Sequence, residues 1–131
     1  MLENELAPLY NELSNEVIIT IPKDWTEVHY LGEVESQEKS TASIFYFKEK
    51  NGNNNFIRSN DIPDIYNVSE AEYDKHIDNM DTIIVKMYRE FIDNKQAPWD
   101  QIKMSLTPDG KFNVDFIYGA LQNMETRLMN L

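Results

Sequence analysis

The stretch that decides the fold is APWDQIKMSLTPDGKFNVDFIYG, residues 97–119. Ile102, Met104 and Leu106 alternate with Gln101, Lys103 and Ser105, and after a short interruption Phe112, Val114, Phe116 and Tyr118 alternate with Lys111, Asn113 and Asp115. A period of two sends successive side chains to opposite faces, so each run is a strand with one buried face. Between them lies TPDGK: Pro108 presets φ, Asp109 accepts a turn conformation, and Gly110 supplies the left-handed residue that closes a three-residue loop with a bulge. Turn geometry accounts for Asp109, and the hairpin reads as scaffold rather than as a catalytic element.

Upstream of the hairpin the period lengthens. Tyr73, Ile77, Met80, Ile84, Met87 and Phe91 step by four and three, which keeps one face apolar through a long helix. Its start is well marked: Ser69 can cap it, Glu72 sits where a capping box needs it, and Val68 can pack on Tyr73. Asp93-Asn94-Lys95 and Pro98 end it. A polar loop with proline, 61–69, precedes it. Before that loop, SIFYFK (43–48) is aromatic and strand-favouring on both sides, as a central strand requires. Asn51-Gly52 predicts a hairpin that returns as a third strand over Asn55 to Ser59. From Trp25 the period is again two, with Val28, Tyr30 and Val34 on one side and His29 and Leu31 on the other.

The chain begins with an amphipathic segment. Leu2, Leu6, Leu9, Leu13, Val17 and Ile21 step by three or four, while Glu5, Glu12 and Glu16 take other angles. Pro8 and Pro22 place the regular helix at about residues 5–20. At the other end ALQNMETRLMNL allows a short helix with Leu121, Met124 and Leu128 inward. The order helix, three strands, helix, two strands contains no βαβ alternation. It predicts an α+β fold: an antiparallel sheet of about five strands with the N-terminal helix and a long central helix packed on one face.

The 131 residues fit one domain, 1–131, and 41% hydrophobic content is enough for a core without staples. Absence of cysteine excludes disulfides and thiolate zinc sites and is compatible with a reducing cytoplasm. The N-terminus carries acids where a secretory signal needs a basic segment, and no run has the roughly 18 apolar residues of a membrane helix. A soluble cytoplasmic protein is expected. Acids outnumber bases 23 to 12, for a net charge of −11 spread along the chain. That field repels nucleic acid and anionic lipid and attracts cationic partners.

Few residues offer chemistry. His29 and His76 are the two imidazoles, no serine sits in a nucleophile elbow, and His76 borders the apolar stripe as a structural histidine would. Four scattered glycines build no phosphate cradle. Asp74, Asp78 and Asp81 share one helical edge. A metal-dependent enzyme built on these three carboxylates is one alternative, although such sites gather oxygens from several elements and a solvated charged edge is the commoner meaning. Together with Trp25 and Trp99 they form the candidate partner-binding set, aromatic residues being enriched in interface hot spots. Core packing is the alternative for both tryptophans. No cofactor is expected.

One wider pattern runs through these elements. IPKDW (21–25), SIFYF (43–47), FIRSNDIPDIYNVSEAEYD (56–74), APWDQI (97–102) and DGKFNVDFIY (109–118), in this order, resemble the YezG-like family of bacterial immunity proteins. The resemblance departs in the tail: family members commonly run on past the last strand, often with a tryptophan-containing stretch, whereas here GALQNMETRLMNL closes the sequence. The family includes antitoxins that neutralise nuclease toxins of the type VII secretion system. The resemblance therefore implies a non-enzymatic inhibitor with a cognate toxin as partner, a basic nuclease domain, and no direct binding of nucleic acid or membrane. An acidic interaction module with a non-toxin partner is the other reading. No oligomeric state follows from the residues.

Overall fold

The structure is a computed structural model that describes residues 2–120. Helix α1 (Leu2–Thr20) leads into strand β1 (Trp25–Val34), a single turn at Ser36–Glu38, and strand β2 (Thr41–Glu49). Strand β3 is short, Ile57–Arg58, and passes through a turn at Ser59–Asp61 into helix α2 (Ile62–Tyr66). Helix α3 (Glu70–Asp93) and strands β4 (Gln101–Leu106) and β5 (Phe112–Ile117) follow. The five strands form one antiparallel sheet in the order β3-β2-β1-β4-β5, as the α+β reading requires.

Register explains why the helices cover one side. Val28 faces Phe47 and Leu106, Tyr30 faces Phe45 and Met104, and Gly32 faces Ser43 and Ile102. These positions form the inner face, and the valine, phenylalanine, methionine and leucine among them are buried. Leu6, Leu13 and Val17 of α1 and Met80, Ile84, Met87 and Phe91 of α3 close the core over that face. Burying such side chains contributes about 1.5–3 kcal/mol each before the ordering entropy is counted. Gly32 is a close approach rather than a turn: a Cβ there would lie 2.7 Å from Tyr30 Oη and 2.9 Å from Ile84 Cδ1. Helices α1 and α3 run antiparallel, because Glu16 meets His76 and Asn79 while Glu5 meets Asn94.

The caps follow the sequence. Ser69 Oγ accepts from the Glu72 N–H at 3.1 Å, which starts α3. Lys95 in the left-handed region lets the Gln96 N–H reach the Phe91 carbonyl at 2.8 Å, which ends it. In the β4–β5 turn Gly110 has φ +86°, and Asp109 accepts from the Thr107 hydroxyl and the Lys111 N–H.

Three local expectations change. Helix α1 starts at Leu2 and contains Pro8, because Leu2 and Leu6 pack on the core and hold an extra turn ahead of the missing N–H. Asn51-Gly52 does not form a two-residue hairpin. Asn54 takes the positive φ instead, 66°, so the loop is longer and β3 shrinks from the expected 55–59 to two residues. The loop over 61–69 contains α2, begun by Pro63 in its first turn and ended by left-handed Asn67. The expected helix with Leu121, Met124 and Leu128 lies outside the described residues.

Candidate interaction surface

The carboxylates predicted on one edge of α3 share that edge. Asp74 and Asp78 are exposed; Asp81 is partly buried and accepts from the Ser43 hydroxyl of β2 at 2.7 Å. Since Ser43 donates its only proton there, the Tyr30 hydroxyl donates to Ser43 at 2.6 Å, giving a chain from the core to the acidic edge. Burial raises the Asp81 carboxyl above its ordinary value, the Ser43 bond opposes that, and the Asp78 charge adds to it. Asp61, in the turn before α2, adds its charge near the Tyr73 hydroxyl. Burial lifts the Tyr73 hydroxyl, its bond to Ser59 opposes that, and the charges of Asp74 and Asp61 lift it further. No periodicity relates Asp61 to α3, so only the course of the chain through α2 brings it there.

Among the described residues, no group of three or more histidine and carboxylate side chains could hold a metal ion. Asp74, Asp78 and Asp81 are strung along about 10 Å of one helix, at a rise of about 1.5 Å per residue. The metal alternative therefore has no assembled ligand set. His76 is the structural histidine expected, with Nδ1 2.7 Å from Glu16 Oε1 between α1 and α3.

The two tryptophans part company. Trp25 is partly buried and lines an open hollow with Ile18, Pro22, Lys23 and Pro108, where α1 exits and β1 begins. It keeps a face toward solvent. Trp99 is only 1% exposed and lies against Tyr88, Phe91 and Phe116, with ring centroids 5.2–6.2 Å away. It belongs to the core and cannot touch a partner, which corrects its place in the candidate set.

No described element covers the outer face of the sheet. Leu31, Ile44 and Ile117 lie there half-buried, and Tyr46 is 36% exposed. Glu27 pairs with Lys48 at 3.1 Å and with His29 at 2.9 Å, and the exposed Phe56 ring sits beneath Lys48 and edge-on to His29. Lys103 faces Asp115, Glu33 accepts from Gln101, and Arg58 faces Tyr46. Helix α1, by contrast, carries Glu3, Glu5, Glu12 and Glu16 with no basic residue. Sequence alternation locates the outer face; its charge balance emerges only when the strands are placed side by side.

A family model described as "Immunity protein YezG-like" matches residues 6–130. The chain is similar to "Immunity protein YezG" of Bacillus spizizenii, 28% identical over 87% of this chain and 69% of the relative. The protein of the same name from Bacillus subtilis is 28% identical over 86% of this chain and 73% of its own length. A "Type VII secretion system protein EsaG" of Staphylococcus aureus is 24% identical over 88% of this chain and 69% of the relative.

Proposed function

We propose that this chain, which belongs to the YezG-like family of immunity proteins, neutralises a nuclease toxin of a bacterial type VII secretion system by binding it. The observation that carries this reading is the family match across residues 6–130. The secretion system is taken from the name of the Staphylococcus aureus relative. The nuclease is what the family resemblance implies, and charge is in keeping with it: an enzyme that holds phosphate needs a positive cleft, and a body of net charge −11 is attracted to it.

The mechanism is stoichiometric rather than catalytic. The carboxylate strip Asp74, Asp78 and Asp81 steers a cationic partner and speeds encounter, and the solvent-facing side of Trp25 beside Ile18 supplies apolar contact that slows release. No cofactor takes part. No described helix is long and apolar enough to cross a membrane. We place the encounter in the cytoplasm, either of the producing cell or of a neighbouring cell that the incoming toxin reaches.

The test starts with pull-down of the tagged chain from its native cell. The nuclease domain recovered is then titrated with the purified chain while DNA cleavage is followed. Cleavage should end near one equivalent, with nanomolar affinity that weakens as salt rises from about 50 to 500 mM. Full cleavage at excess inhibitor counts decisively against the reading.

A further inference from the structure

Most of this molecule's surface opposes a second copy of itself, because each chain carries a net charge of −11. The outer face of the sheet is the exception. Its carboxylates Glu27, Glu33 and Asp115 are matched by Lys48, Arg58 and Lys103, so the formal charge there is zero with His29 neutral. It also holds Leu31, Ile44, Tyr46 and Ile117, partly open to solvent. A cationic partner gains nothing from a face without net charge, whereas two like-charged chains avoid their mutual repulsion best through that face. We propose that a second copy of this chain covers the outer face, forming a reversible two-fold dimer in which two five-stranded sheets pack face to face.

The geometry suits such packing. Twisted antiparallel sheets stack about 10 Å apart with their strands within about 30° of each other. Five strands about 4.8 Å apart, with about six paired positions rising about 3.3 Å each, give a face of roughly 500 Å². Two such faces remove roughly 1,000 Å² in total, the threshold of a specific contact and well short of a permanent one. The dimer is therefore weak and concentration-dependent. Its salt response has the opposite sign to that of the toxin contact: salt screens the repulsion between the two acidic bodies while the neutral face loses little, so association tightens.

Sedimentation equilibrium of the full chain, at about 5–500 μM and at about 50 and 500 mM salt, reads this directly. A reversible dimer of micromolar affinity that tightens with salt is expected. Tyr46→Glu, on the outer face, should weaken it at least about tenfold. Lys103→Glu, at an exposed position that leaves the core untouched, should weaken it at low salt and recover in part at high salt. Ile19→Ser, on the 61% exposed flank of α1, keeps the charge and should leave it unchanged, and far-UV circular dichroism checks that each variant is folded. A monomer throughout the range, a dimer indifferent to Tyr46→Glu and Lys103→Glu, or one that weakens with salt overturns the proposal. So does a monomer whose Tyr46→Glu variant loses the recovered nuclease, which would give the face to the toxin. The proposal stands apart from toxin neutralisation, and failure of either leaves the other to be judged on its own titration.

Discussion

The inner and outer faces of the sheet are made by the same strands, one residue apart, and they meet different surroundings. On the inner face Val28, Phe45, Phe47 and Ile102 are fully buried under α1 and α3. On the outer face their neighbours Glu27, Tyr46, Lys48 and Lys103 meet solvent in paired charges and half-open rings. A strand's period of two lets one stretch specify both faces, so stability and recognition can be altered separately. Substitutions on the inner face should change folding with recognition intact in whatever remains folded. Those on the outer face should do the reverse.

The strongest way to break this contrast is Trp99. Its ring packs on Tyr88, Phe91 and Phe116, and its indole N–H finds no acceptor among the described residues. Removing the side chain leaves a cavity, so Trp99→Ala should cost about 3–5 kcal/mol in urea denaturation. Trp99→Phe keeps most of the apolar contact and gives up no hydrogen bond, and should cost about 1–2 kcal/mol. A loss below about 1 kcal/mol for the alanine variant would show that the inner face is not where stability resides. Gly32 sharpens the contrast within one strand pair. Gly32→Ala drives a methyl group toward Tyr30 Oη, Ile84 Cδ1 and Ile102 Cγ2 at 2.7–3.0 Å and should cost about 1–3 kcal/mol. Ser105→Ala, on the outer face of the neighbouring strand, should stay within about 0.5 kcal/mol.

These residues also mark what could be read before the structure. The strongest local signals were legible: the alternation over 101–117, the stripe from Tyr73 to Phe91, and the cap at Ser69. Ser69→Ala should accordingly cost about 1 kcal/mol through the lost bond to the Glu72 N–H, measured by thermal unfolding. Trp25 and Trp99 look alike in sequence because their burial is decided by distant chain, Trp99 by residues 88, 91 and 116. The Asn51-Gly52 signal was outweighed because β3 is an edge held by two pairs, too few to impose a tight turn, so the loop spread its reversal to Asn54. The carboxylates of α3 were visible, but Ser43, which anchors Asp81, comes from β2, and the charge that Asp61 adds near Tyr73 comes from the turn before α2.

Asp81 is where the two kinds of chemistry meet, and it should give a small effect with a clear sign. Its carboxylate accepts from Ser43, itself tied to Tyr30 of the inner face, while Asp78 presents a like charge beside it. Burial and that charge hold its folded-state pKa above the unfolded value, so the stability linked to its proton is present at low pH and lost as pH rises through the raised value. At neutral pH the ionised form therefore carries a penalty. Asp81→Asn is neutral at every pH and keeps an oxygen that can accept from Ser43. It should raise stability at pH 7 by a few tenths of a kcal/mol to about 1 kcal/mol, because a partly buried group is still screened by water. The gain should shrink as pH falls through the unfolded value of about 3.9 and be mostly gone by about pH 3, where the wild-type carboxyl is largely protonated in both states. Paired thermal melts at about pH 7 and about pH 3 read the difference. A variant less stable than wild type at pH 7 would mean that the charged bond to Ser43 outweighs burial, and that the acidic edge adds stability in its own right.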